Sequence, residues 1–125
     1  AIYAAGAEAV RALNIADKLH EQYGIEVKVV NVRTLKPFDS AALQNDLQNM
    51  DVFTLEDHVA ATGLGMCAAQ ATAAKPSCNG KKLTTFGLPD DMPITFGSIE
   101  KLRQSLQLDE ESLVKRIAGS FSKKQ

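Results

Sequence analysis

Short apolar runs alternate along this chain with stretches whose apolar residues recur every three or four positions. Residues 1–6, AIYAAG, are apolar and closed by Gly6, which predicts a buried strand entering a turn. Ala9, Ala12, Leu13, Ala16, Leu19 and Tyr23 follow at helical spacing, with Arg11, Asp17, Lys18 and Glu21 around the other side. They predict an amphipathic helix packed on a sheet, ended by the left-handed conformation that Gly24 can adopt without a Cβ clash. IEVKVVNV, residues 25–32, is rich in β-branched residues and nearly all apolar, so it predicts a sheet-interior strand covered on both faces. After Pro37, Asp39 is placed to cap a helix of about ten residues with Ala42, Leu43 and Leu47 inward.

DVFTL, residues 51–55, reads as the next strand. It runs into TLEDHVAATGLG, residues 54–65, which delivers two acids and a histidine to the mouth of a helix of small residues beginning near Gly65. Lys75 and Pro76 mark that helix's end. KLTTF, residues 82–86, alternates and is bounded by Gly87, as expected of a fourth strand near an edge. GLPDDMPITFG, residues 87–97, is too apolar for a solvated linker and reads as an ordered, packed loop. Ser98 caps a helix to about Ser105, and Asp109 caps another with Glu110 and Glu111 in its first turn. Leu113, Ile117 and Phe121 form its inward stripe, and the terminal SKKQ is expected to fray. Strands separated by helical crossovers predict a mostly parallel sheet of four or five strands between two helical layers.

Composition narrows the functions open to this fold. A length of 125 residues suits one domain. Fourteen Lys and Arg against fifteen Asp and Glu leave a net charge of −1, so no overall field draws nucleic acid or an anionic membrane, and neither is expected as a partner. No apolar run approaches the roughly 18 residues of a membrane span, and no secretory leader is visible, so the chain reads as soluble and cytoplasmic. Cys67 and Cys78 fit no disulfide framework and, with His20 and His58, no zinc spacing, so buried reduced thiols and no metal site are expected. Ile2 to Ala5 already read as a strand, which suggests that residues 1–125 are one domain cut from a longer chain.

Three sets of residues carry candidate chemistry. Glu56, Asp57 and His58 could form an acid–base set, but consecutive residues on extended backbone point different ways, and a solvated strand end touching a neighbouring chain is the plainer reading. Gly63 and Gly65 at a helix start could offer N–H groups to a phosphate. A tight turn with close packing is the plainer reading, because Ala68 stands where the dinucleotide fingerprint needs glycine. Arg33 and Lys36, in a loop after a strand, could hold an acidic ligand or pair with Glu56 and Asp57, within the chain or across an interface. No nucleophile elbow, Walker loop or triad is visible.

Taken together, NVRTLKPFD at 31–39, TLEDHVAATGLG at 54–65, FGLPDDM at 86–92 and GSIEKLRQSLQLDEESLVKRI at 97–117 resemble the C-terminal domain of the transketolase superfamily, over nearly the whole chain. That superfamily includes transketolase, 1-deoxy-D-xylulose-5-phosphate synthase and the β subunits of 2-oxoacid dehydrogenases. The resemblance implies an α/β/α sandwich of about five strands, mostly parallel with one antiparallel edge strand. It also implies a non-catalytic assembly domain that is inactive alone, with thiamin diphosphate and magnesium held by other domains of a homodimeric parent. Arg33, Lys36, Glu56, Asp57, His58, Gly63 and Gly65 would then be interface or anion-binding residues, none of them catalytic or cofactor-binding. The rival expectation is a stand-alone module that takes a small anion or a partner protein at the strand-end cleft.

Overall fold

A computed structural model describes residues 1–75, 78–91 and 96–122 of the chain. Four strands, β1 (Ile2–Ala5), β2 (Val29–Val32), β3 (Val52–Val59) and β4 (Leu83–Leu88), form one sheet in the order β2-β1-β3-β4. Every pairing is parallel. The helices are α1 (Glu8–Tyr23), α2 (Ser40–Asn49), α3 (Leu64–Ala74), α4 (Ile99–Ser105) and α5 (Glu110–Ser122).

Alternation along the strands divides the core in two. Ile2, Ala4, Phe53, Leu55 and Phe86 pack with Ile15 and Leu19 of α1 and Leu113 and Ile117 of α5. Tyr3 and Val52 face the other way, onto Leu43 and Leu47 of α2 and Leu64 and Ala68 of α3. The result is the expected three-layer α/β/α sandwich. It has four parallel strands, and no antiparallel edge strand occurs among the described residues.

Caps fix the ends of the elements as the sequence suggests. Gly24 is left-handed at φ 65° and donates its N–H to the His20 carbonyl. Asp39 accepts from Ala42 N at 3.0 Å, Ser98 from Lys101 N at 3.3 Å, and Asp109 from Ser112 N at 3.0 Å. Burial pushes the Asp109 carboxyl up, but the hydroxyl and N–H of Ser112 outweigh it and hold the group below its usual range.

Several expectations need correction. The segment 25–32 is not an interior strand: only Val29–Val32 pairs, with β1 alone, at the outside of the sheet. Its apolar character is still explained, because Ile25, Val27 and Val29 pack on one core cluster and Val30 and Val32 on the other. In α1 the buried stripe is Glu8, Ala12, Ile15 and Leu19, while Leu13 and Tyr23 are exposed. Choosing Leu13 over Ile15 rotates the helix to the wrong face. Phe121 is partly exposed, although it reaches the Phe53 ring, and α4 buries no residue at all. The loop expected to pack at 87–97 presents Asp90, Asp91 and a 95% exposed Phe96 to solvent; residues 92–95, and 123–125 of the tail, lie outside the described residues. Cys67 and Cys78 are free and only partly buried.

Candidate functional site

The strand ends converge at the carboxyl edge of the sheet, where loops and helix starts gather. β3 is the longest strand and pairs with β1 only through Leu55, so Glu56, Asp57 and His58 ride on an overhang rather than in a loop. Its register with β4 is irregular between Leu55 and Val59.

Glu56 turns inward and is 6% exposed. Its carboxylate spans the start of α3, accepting from Leu64 N at 2.8 Å and Gly65 N at 2.6 Å. A negative group there meets both the unpaired N–H groups and the positive end of the helix dipole, and charge-assisted bonds of this kind contribute about 1.5–3 kcal/mol each. The glycines make the approach possible: a Cβ on Gly63 would lie 1.9 Å from Glu56 Oε1, and one on Gly65 would lie 2.8 Å from the Ala60 carbonyl. The solvated role expected of Glu56 is therefore corrected. The N–H groups of Leu64 and Gly65 that an anion could have used are donated to the chain's own carboxylate.

Asp57 and His58 are exposed, and of the three groups only the His58 ring comes near the Glu56 carboxylate, across Gly63, where a Cβ would lie 3.0 Å from His58 Cδ2. Asp57 lies 4.0 Å from Arg103 of α4. The exposed His58 places Nε2 3.1 Å from the Thr62 hydroxyl, which also lies 3.3 Å from the Val59 carbonyl. Arg33 and Lys36 are exposed in the loop after β2 and pair with neither Glu56 nor Asp57. The strand order explains this correction, since β1 stands between β2 and β3.

The sequence pattern missed a buried ionic network beside this overhang. Glu8, 1% exposed in the first turn of α1, is bound by the Arg11 guanidinium and by Arg103 Nη2 at 3.0 Å. Arg11 also donates to the Leu108 carbonyl, so α1, α4 and the turn before α5 are joined. Glu8 sits in the first turn of α1, where an acid ordinarily does no more than complement the helix dipole. Its decisive partner lies 95 residues away, beyond any local signal.

A third buried carboxylate, Asp46, lies at the opposite, amino edge. Tyr3 Oη donates to it at 2.6 Å and Lys28 Nζ at 2.8 and 2.9 Å. Burial raises the Asp46 carboxyl, but the Lys28 and Tyr3 hydrogen bonds overcome that and hold it below its usual range. Burial, then the bond to Asp46, pushes the Tyr3 hydroxyl far above its ordinary value.

The exposed apolar side chains are unevenly placed. Val10 and Leu13 lie early in α1, Leu35 after β2, Met66 in the first turn of α3, and Phe96 and Ile99 lead into α4. All belong to segments at or just beyond the carboxyl edge, whereas Tyr23 and Phe121 lie at the other end. Ala60, Met66, Ala69, Leu88 and Pro89 line a cleft of about 370 Å³ there. Apolar groups near the polar Asp57, His58, Arg33 and Lys36 make a surface suited to contact. Among the described residues, no group of three or more His, Cys, Asp or Glu is placed to hold a metal, and no helix is long and apolar enough to cross a membrane.

Comparison with known proteins adds an independent line. Residues 1–113 match the family described as transketolase, C-terminal domain. The chain is 32% identical over 126 residues to 1-deoxy-D-xylulose-5-phosphate synthase of Bacillus mycoides (strain KBAB4), and likewise to that of Bacillus cereus (strain B4264). Both matches cover 100% of this chain, which spans only 20% of either relative. Among solved structures, one described as a split gene transketolase, inactive β4 tetramer, is similar with a TM-score of 0.72 at 28% identity, over 90% of this chain and 35% of that one.

Proposed function

This chain belongs to the transketolase C-terminal-domain family, and from that premise we propose that it is the non-catalytic assembly and support domain of a thiamin-diphosphate-dependent transferase. The parent is read as a cytoplasmic homodimer of the 1-deoxy-D-xylulose-5-phosphate synthase kind, because relatives of that name match along the whole chain. Its substrate chemistry, carbon–carbon cleavage beside a carbonyl and transfer to an aldehyde, belongs to the cofactor. The α3 N–H groups, which could have taken a diphosphate, are donated to Glu56. On the proposed reading, thiamin diphosphate and magnesium are held by other domains of the parent.

The observation that carries the reading is the exposure of Val10, Leu13, Leu35, Met66, Phe96 and Ile99 on segments of one edge. Burying such side chains on docking contributes about 1.5–3 kcal/mol each. Arg33, Lys36, Asp57 and His58 would form a polar rim that sets register.

Replacing both Met66 and Ile99 by Asp tests this when the chain is joined to, or mixed with, the cofactor-binding domains encoded with it. Assembly, followed by light scattering, should weaken at least tenfold while the domain's own thermal midpoint stays within a few degrees. Unchanged assembly would overturn the proposal. So would micromolar binding of thiamin diphosphate and magnesium by this chain alone, measured by calorimetry.

A further inference from the structure

A cleft of about 540 Å³ lies at the amino edge, between the start of β4 and the last turns of α5. Its size falls within the roughly 300–1,000 Å³ of small-molecule sites. It is remote from the strand-end surface described above, and nothing in the assembly role calls for it. We propose that it binds a small phosphate monoester.

Charge is the first argument. Lys82, Lys115 and Arg116 border the cleft with one carboxylate, Asp51, so its lining is net cationic in a chain whose net charge is −1. Asp51 is already engaged, accepting Lys82 N–H at 2.8 Å. The ammonium groups of Lys82 and Lys115 have no carboxylate partner among the described residues, in contrast to Lys18 and Lys28, which are ion-paired. Two lysines without a carboxylate partner on the border of one concavity match a dianion, and a phosphate monoester carries roughly −1.5 to −2 at neutral pH.

Arrangement is the second argument. The Arg116 guanidinium is held 4.6 Å above the Phe86 ring and gives one N–H to the Gln107 carbonyl at 3.1 Å. Those contacts hold the guanidinium toward the start of α5, where Phe86, Leu106 and Leu108 line a separate cleft, so recognition of the anion falls to the two lysines. Thr84 is the register partner of Phe53, whose ring belongs to the α5-side core, so its hydroxyl shares that face of the sheet. Ser120 contributes no donor, because its hydroxyl already donates to the Ile117 carbonyl at 2.6 Å. The carbonyl end of α5 opposes an anion with about half a charge, which the two free ammonium groups exceed. Phe53 gives the cleft an apolar wall for the organic part of the ester.

The test is a titration of the isotope-labelled chain with glycerol 3-phosphate at low ionic strength, followed by amide NMR, with glycerol and sodium chloride as controls. Saturable shifts should concentrate at Lys82, Thr84 and Gly119, and the combined K82A and K115A variant, altered only at exposed positions, should raise Kd at least tenfold with an unchanged thermal midpoint. Inorganic phosphate should bind several-fold more weakly. Absent or non-saturating shifts, shifts spread over all the lysines, an unchanged Kd in the double variant, or equal affinity for inorganic phosphate would each overturn the proposal. None of these outcomes bears on assembly through the carboxyl edge.

Discussion

The starts of α1 and α3 solve one problem in two ways. Each follows a strand of the sheet's carboxyl edge, and each buries a carboxylate beside its first turn: Glu8 on α1 itself, and Glu56 reaching α3 from β3. Glu56 is satisfied by backbone N–H groups eight and nine residues further on. Glu8 is satisfied by guanidinium groups, one of them on α4. The first arrangement is local, built from strand, turn and glycine; the second is assembled from three separate elements. A buried charge must be compensated in either case, but only the long-range solution ties distant elements together. That matters for α4, which buries no side chain.

The largest expected effect tests how tightly the local solution is built. Gly63→Ala places a methyl 1.9 Å from the buried carboxylate oxygen and should destabilise the chain by about 3 kcal/mol in urea unfolding. Adding Glu56→Ala should cost less than the two single losses summed, since it removes the clashing group; strict additivity would show that Glu56 is not what excludes a side chain at Gly63.

The distributed solution should be more forgiving. Arg103→Ala leaves Glu8 bound to Arg11 and should cost about 2 kcal/mol, with hydrogen exchange rising first in α4. Equal protection loss throughout the chain would show that α4 is not held separately by this network.

Asp46 sharpens the comparison because a cation and a neutral hydroxyl share it. Its folded-state pKa lies below the unfolded value, so the unfolded chain takes up the proton first as pH falls. Its contribution is complete above the unfolded pKa of roughly 3.9 and is lost as pH drops through the lower folded value. Tyr3→Phe removes one lowering hydrogen bond, so it should cost about 1 kcal/mol at neutral pH, and acid unfolding should begin at higher pH. An acid limb identical to that of the parent chain would mean that Lys28 alone holds Asp46.

Reading the two carboxylates side by side shows where sequence suffices. Alternating apolar runs, helical stripes, Gly24 and the caps at Asp39, Ser98 and Asp109 specify layers and crossovers, because each signal acts over a few residues. TLEDHVAATGLG likewise announces a strand end meeting a glycine-opened helix. The inward turn of Glu56 was not legible, since acids at a strand end are ordinarily solvated. Nor was the separation of Arg33 from Asp57, which depends on β1 lying between their strands.

The sequence by itself determined the α/β/α class, the family and the place where chain chemistry concentrates, through propensity, periodicity and turn residues that need no distant partner. Only the tertiary structure decided that β2 lies at the outside, that Leu13 faces solvent while Ile15 is buried, and that Glu8 finds Arg103. Those outcomes turn on which elements become neighbours. That choice is made by burial and charge compensation across the whole domain, and no short stretch of sequence contains it.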